Sequence, residues 1–494
     1  MPLHKPPRTA AAPRLLGSAA RRSLLRASTG VALGAALAPA VRAAAPVAAT
    51  GPTTIPSSPG SAPAAGGAPA RWQNWSGIQQ CQPKRFLVPR DEAALAQALR
   101  DAPTGPVRCV GAGHSFTALV PTDQWLVSLD QLSGVGEMAP GKDTVLVQGG
   151  TRLATASRLL DAAGLALRNL PDVDVQSYAG AISTATHGTG MQLPALHADV
   201  VGLRLVTARG EVIECNAQQR PDLLAAARVS LGSLGVITQA RVRVVPAYSL
   251  HRRVWLEPAM QLLERAPELA RKHRNFEFYY LPFTGYAAGI AHDIDTSGQV
   301  LMPHAADEDV LRDLRRLRDW LGYFPSLRRK VAGWAIDSEQ KEEAKNRAWR
   351  LLATQRPTRF NETEYHVPQE AGVACAKEVI AALEKRNDVY FPMEFRFVAA
   401  DEAAWLSPFY QRASCSIAVH AAVGEPYDYL TSEIGPIFRK YQGRPHWGKL
   451  HDLGAAQLVA LYPRWGDFLA LRRELDPQGR FLNAHLRKLF GETA

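Results

Sequence analysis

Gly111-Ala-Gly-His-Ser-Phe-Thr-Ala-Leu-Val-Pro-Thr-Asp123 and Gly180-Ala-Ile-Ser-Thr-Ala-Thr-His-Gly-Thr-Gly190 decide the reading of this chain. Both segments are rich in glycine and hydroxyl side chains, and each carries one histidine, His114 or His187. Glycine lets backbone N–H groups approach an oxygen atom closely, and a tight turn aims several of them at one anion. The pair therefore suits a phosphorylated cofactor. The common nucleotide motifs do not account for it, because the first segment lacks Gly-x-Gly-x-x-Gly spacing and no Gly-x-x-x-x-Gly-Lys-Ser/Thr accompanies it.

Working outward, Pro106–Val110 reads as a short strand entering the first segment. An amphipathic helix over Asp91–Arg100 precedes it, with Ala94, Leu95, Ala98 and Leu99 on one face. Thr144–Gln148 is β-rich, Leu153–Ala163 is helical, and Gly164 is placed to end that helix. Val200–Val206 and Glu211–Glu214 form a hairpin across Arg209-Gly210, and Leu231–Ile237 runs into a strand that Pro246 closes. Beyond Tyr248, strand-like stretches (Phe276–Leu281, Tyr390–Phe397, Ser414–His420) mix with charged helices (Val310–Leu321, Ser338–Leu352). Regular βαβ alternation is missing, so the fold class is α+β. The expected divisions are an export segment over 1–45, a linker over 46–73, and domains over 74–247 and 248–494.

The 494 residues have an ordinary globular composition, 46% hydrophobic and 21% charged. The net charge of +11 is misleading, since residues 1–45 hold seven basic residues and no acidic one, leaving +4 for the rest. That balance gives no reason to expect nucleic acid. Arg21-Arg22-Ser-Leu-Leu-Arg26, an apolar run over 27–40 and Ala43-Ala-Ala45 read as a twin-arginine signal with a cleavage site. The destination is the periplasm or the medium, with membrane contact only in transit. Residues 46–70 are rich in Pro, Ala, Gly and Ser and have little capacity to pack. The five cysteines show no Cys-x-x-Cys spacing, which excludes a zinc ribbon or a thioredoxin motif, and no metal site is expected.

Later in the chain, Met393-Glu-Phe-Arg-Phe397 places Glu394 and Arg396 on one face of a strand. Bracketed by phenylalanines, such charges are half buried and need partners. Arg444-Pro-His-Trp-Gly-Lys449 and Cys415-Ser-Ile-Ala-Val-His420 each end on a basic side chain, Lys449 or His420. Glu362-Thr-Glu-Tyr-His-Val-Pro368 reads as a structural strand on which Tyr365 could line the pocket.

Together these segments resemble the vanillyl-alcohol-oxidase family with its PCMH-type FAD-binding domain, in the branch of sugar-lactone and alditol oxidases. The resemblance runs from about Trp72 to the C-terminus. It implies a two-domain flavoprotein in which His114 carries FAD covalently. The cofactor-binding set would be Gly111, Ala112, Gly113, His114, Ser115, Ser177, Gly180, Ser183, Thr184, His187, Gly188, Thr189 and Ile237. Glu394, Arg396 and Lys449 would act on the substrate, with Ser177 and His420 also touching it. The implied reaction is hydride transfer from a secondary alcohol of an aldono-1,4-lactone to flavin N5, and a polyol is the alternative substrate. Asp476–His485 matches the family's C-terminal signature and should return to the FAD domain. Pro171 departs from the family, which usually has glycine after Asn-Leu. Oxygen is the expected acceptor, with a cytochrome or quinone as the alternative.

Overall fold

The computed structural model describes residues 71–492 except 102–104, 137–142, 303–308, 336–340 and 354–357. The export segment and residues 46–70 of the expected linker lie outside the described residues. Residues 71–73, expected in that linker, belong to the fold instead. Trp72–Gln73 pairs antiparallel with Gln80–Cys81, and the Trp72 ring is buried against Val110 and Leu126.

Two small sheets carry the glycine segments. The first is parallel, with β1 (Arg85–Leu87), β2 (Val107–Val110) and β3 (Trp125–Ser128) in the order β1–β3–β2. Helix α1 (Glu92–Asp101) covers it, burying Leu95 and Leu99 with Val107 and Val127, and Phe481 completes that cluster. The second sheet is antiparallel, with β4 (Thr144–Gln148), β5 (Val200–Val206), β6 (Val212–Asn216) and β7 (Val236–Arg243) in the order β4–β7–β5–β6. The β5–β6 hairpin turns at Gly210 with φ of +72°, a conformation costly for a side chain with a Cβ. Helices α2 (Leu153–Ala162) and α3 (Tyr178–Ser183) pack beside this sheet, and α3 opens the second glycine segment.

The rest builds on one antiparallel sheet of eight strands. These are β8 (Ser249–Pro258), β9 (Asn275–Tyr280), β10 (Tyr286–Asp295), β11 (Lys341–Arg347), β12 (Phe360–Pro368), β13 (Met393–Val398), β14 (Ser414–Ala422) and β15 (Arg444–Pro445). They run β11–β8–β10–β9–β13–β14–β12–β15. Helix α4 (Ala259–Lys272) packs on β9, while α5 (Asp309–Leu321) and α6 (Pro325–Ala335) form a hairpin at the side.

One sequence expectation fails here. Ser338–Leu352 was expected to be a single helix, but Lys341–Arg347 is the edge strand β11 and only Ala348–Leu352 is helical; 336–340 lie outside the described residues. Lys, Glu and Ala favour helix, yet pairing with β8 overrides that weak preference. Ala344 and Asn346 turn inward while Lys341 and Glu343 face solvent, and on the outer edge Leu301 exchanges backbone hydrogen bonds with Lys345 at 2.8 and 2.9 Å.

The C-terminal segment lies against the parallel sheet. Val107 N–H donates to the Arg480 carbonyl at 2.7 Å, and Asn483 Nδ2 donates to the carbonyls of Ala118 and Pro121 at 2.8 and 2.9 Å. Arg108, buried on β2, donates to the carbonyls of Phe481, Leu119 and Leu231. All five cysteines are unpaired.

Candidate active site

The first glycine segment leaves β2 and turns at Gly113, whose φ of +70° is left-handed. A Cβ on Gly111 would sit 2.2 Å from Ser177 Oγ, so the first glycine segment packs closely on Ser177, which precedes helix α3, because Gly111 carries no side chain. The His114 ring stacks on Trp75 with centroids 4.9 Å apart. Phe116 N–H donates to the Gly448 carbonyl at 2.6 Å and Thr117 Oγ1 to that of Trp447 at 2.9 Å, which fastens the segment to the stretch bearing Lys449.

From the other side, three adjacent strands supply charge. Their register forms cross-strand rows of Glu364, Ala418, Glu394 and Tyr279, and of His366, Ser416, Arg396 and Glu277, with Glu362 opposite His420. The middle strand β14 offers only Ala418 and Ser416 in the first two rows. Small residues there leave room for the larger charged side chains on both neighbours.

The charges answer one another. Arg396 donates to Glu364 Oε1 at 2.6 Å, lies 3.2 Å from Glu394 Oε2 and 3.6 Å from Asp172 Oδ1. Tyr279 OH donates to Glu394 Oε1 at 2.5 Å, Lys449 Nζ donates to Glu362 Oε2, and His420 Nε2 lies 3.7 Å from Glu362 Oε1. His187 Nε2 is 3.1 Å from Glu364 Oε1, while its Nδ1 donates to the Gly188 carbonyl at 2.9 Å. All three glutamates are buried.

Three carboxylates facing two cations set the protonation pattern. Burial alone would raise the Glu364 carboxyl, but Arg396 and His187 hold it well below the usual range. Burial raises Glu362, and the neighbouring Glu364 adds to the rise while Lys449 opposes it. Of the two, Glu362 is thus the carboxyl that takes up a proton more readily, and environments that push two neighbouring carboxyls apart separate their acid–base roles. Desolvation would lower the Arg396 guanidinium, yet Glu394, Glu364 and Asp172 keep it well above its ordinary value. Burial holds His366 and His446 well below the ordinary imidazole value, so both are neutral.

Among the described residues, two groups have the composition of a metal site, His187 with Glu364 and His366, and Glu362 with Glu394 and His420. Each already contains a side-chain cation, Arg396 on Glu364 and Lys449 on Glu362. A further cation about 4 Å away would be repelled by about 4 kcal/mol per unit charge.

Glu362, Glu364, Glu394, Arg396, His187 and Lys449 face one cleft of about 1550 Å³, the space open to solvent at its mouth included. Its wall includes Gly111, Ala112, Gly113, His114, Ser115, Ser177, Gly180, Ser183, Thr184, His187 and Ile237, with Glu394, Arg396, His420 and Lys449 at the charged end. Gly188 and Thr189 are not on that wall. A Cβ on Gly188 would meet the Leu170 carbonyl oxygen at 2.2 Å, and Thr189 Oγ1 donates to the Phe276 carbonyl at 2.5 Å. Their local contacts stitch the glycine segment to β9. Tyr365 also points elsewhere, stacked on Phe438 at 4.8 Å. Glu362, Glu364, Asp172 and His446 line the cleft although the sequence reading gave them no role. The alternation Glu362-x-Glu364-x-His366, three polar residues on one strand face, was the signal for two of them.

The cleft fits a dinucleotide cofactor. Among the described residues, the N–H groups of Gly111, Ala112, Gly113 and Ser115 donate to no backbone carbonyl, so they remain available to anionic oxygens. Arg396 Nε is buried without a hydrogen-bond partner among the described residues, which leaves a strong donor for a bound group.

Comparison with known proteins agrees with this geometry. A model described as D-arabinono-1,4-lactone oxidase matches residues 240–489, just over half the chain. The chain belongs to the D-arabinono-1,4-lactone oxidase family. A FAD binding domain model matches residues 83–216 of this family member. An L-gulono-1,4-lactone dehydrogenase of Mycobacterium tuberculosis is 37% identical over 85% of this chain and 99% of its own length. An alditol oxidase of Streptomyces sp. is 29% identical over 84% of this chain and 98% of its own. A solved cholesterol oxidase superposes with a TM-score of 0.70 at 17% identity, covering 85% of this chain and 97% of that one, and shares the fold. The protein is an FAD-linked oxidoreductase with the two-domain fold of vanillyl-alcohol-oxidase-type flavoenzymes.

Proposed function

We propose that this enzyme oxidises a secondary alcohol of an aldono-1,4-lactone. The observation that carries this reading is the convergence of Glu362, Glu394, Arg396 and Lys449 on the end of a glycine-walled cleft. FAD, when bound, supplies the hydride acceptor at flavin N5. The two glycine segments hold its phosphates, and Arg396 holds positive charge where the reduced ring needs it. Glu394, fixed by Tyr279 and Arg396, binds substrate hydroxyls. Glu362 takes the hydroxyl proton as hydride leaves carbon, and Lys449 orients it and stabilises the developing alkoxide. His114 at the cleft wall is the attachment point for the flavin. Flavin retained by acid-precipitated parent protein and lost from His114→Ala tests that bond.

Anaerobic mixing tests the reaction. D-arabinono- or L-gulono-1,4-lactone should bleach the flavin faster than xylitol or sorbitol. Faster bleaching by the polyols would make the enzyme an alditol oxidase, and no bleaching by either class would end the reading.

Oxygen is the acceptor the family resemblance implies. Pro171, which stands where the family usually has glycine, also lies on the cleft wall and motivates a second reading, delivery of electrons to a cytochrome or quinone. Peroxide formed in step with substrate supports the first, and dye reduction without peroxide supports the second. Export by the twin-arginine route follows from Arg21-Arg22. Flavin-loaded protein should remain inside cells when both are changed to lysine.

A further inference from the structure

The helical hairpin α5–α6 carries an apolar tip with no part in the proposed chemistry. Trp320, Tyr323, Phe324 and Leu327 at its elbow are 80%, 90%, 62% and 48% exposed. Scattered exposed apolar residues are ordinary, but three aromatic rings within five positions form a patch. The elbow is held firmly from beneath. Arg328 is buried over the Phe283 ring at 4.2 Å and donates to the Val389 carbonyl at 2.9 Å. Arg318 pairs with Glu425 through both terminal nitrogens at 2.9 Å. Leu314, Val310 and Leu311 pack into the apolar cluster that includes Phe116 and Phe360 of the cleft wall. The rings therefore face outward from a fixed base.

The flanks of the tip are basic. Residues 315–331 include six Lys or Arg against Asp319 alone, and Glu384 and Glu425 from neighbouring segments answer Arg329 and Arg318. Arg315 also lies 4.0 Å from both Asp319 and Glu425, so the cationic surplus is spread over the flanks as a whole, and Asp313 next to Arg316 lowers it from three charges to two. The segment's other acidic groups are Asp313, beside Arg316, and Asp309, with Asp307, Glu308, Asp337 and Glu339 adjoining in sequence. At about 1.5 Å per residue, Asp309 lies roughly 16 Å along the helix from the elbow, beyond a screening length of about 8 Å.

We propose that this elbow docks the protein on a lipid bilayer with anionic headgroups. The rings occupy the headgroup level and the arginines and lysine meet the phosphates. Among the described residues no helix is long and apolar enough to cross a membrane, so the contact is interfacial.

The test is co-sedimentation of the full-length, FAD-loaded protein with vesicles of phosphatidylcholine containing phosphatidylglycerol, and with phosphatidylcholine alone. The comparison protein is Trp320→Ser/Tyr323→Ser/Phe324→Ser. Residues 1–45, themselves strongly basic, are the same in both proteins, so the difference reads the elbow. The parent should bind the anionic vesicles, less so in high salt, and the variant should bind roughly tenfold less or weaker still. Its turnover in solution should be unchanged. Equal binding by the two proteins, or no binding by the parent, would overturn the proposal. So would a variant that falls from dimer to monomer with unchanged vesicle binding, which would assign the elbow to a second copy of this chain.

Discussion

Among single residues, Glu362 and Arg396 separate proton handling from charge stabilisation. Ionised Glu362 is the form that accepts a proton, so activity is present above its folded pKa and lost as pH falls through it. Because burial and Glu364 raise that pKa, the acid limb of kcat/KM should lie above the ordinary carboxylate value of about 4.3. Glu362→Gln should lower flavin reduction by roughly 10²–10⁴-fold and abolish the limb in a pH profile of the reductive half-reaction. A limb left in place would assign it to another group. Arg396→Ala should slow anaerobic flavin reduction by roughly 10²–10³-fold while the protein keeps its flavin, measured by absorbance. Reduction at the parent rate would remove Arg396 from the chemistry. The two residues were not equally legible. Glu-x-Arg between phenylalanines announces a buried pair, whereas Glu362 lay in a strand whose polar face has meaning only opposite His420 and beside Lys449.

Individual elements were legible where local pattern and tertiary context agree. Thr144–Gln148 and Val200–Val206 are strands as their β-branched runs imply, and Gly164 with φ of +74° ends α2 as its position suggests. Lys341–Arg347 shows the opposite case. Its composition speaks for helix, and only the partner β8, some ninety positions earlier, makes it a strand. The same limit hid the site's central device, the small residues of β14. Ala418 looks like any core alanine until the register sets it between Glu364 and Glu394. Ala418→Leu should therefore do two things at once. Overpacking should cost about 1–3 kcal/mol, read as a fall in Tm. Displacement of the two carboxylates should reduce lactone-driven flavin bleaching well beyond what the Tm change explains. A variant that loses stability but bleaches normally would show that the spacing of this row does not matter for the reaction.

For the whole molecule, the cleft exists because the part bearing the glycine segments is fixed to the large sheet at several points. The C-terminal return through Arg108, Arg480 and Asn483 is one of them. A fully buried one is His197 with Asp401, 204 positions apart, where the Nε2···Oδ2 distance is 2.7 Å. No periodicity or motif could pair residues so far apart in the chain. Burial alone would raise the Asp401 carboxyl, but His197 and the N–H groups of Ala403 and Ala404 hold it down to about 2. A carboxyl depressed in the folded state contributes stability that is present above its unfolded value and lost as pH falls through the folded one. Asp401→Asn should thus destabilise the protein by about 3 kcal/mol, as expected when one partner of a buried pair is removed. The gap between parent and variant, followed by urea unfolding of the flavin-loaded proteins, should stay constant from neutral pH down to about 4 and narrow below it. A gap that closes near pH 6 instead would locate the titrating group on an imidazole and detach the junction's stability from Asp401.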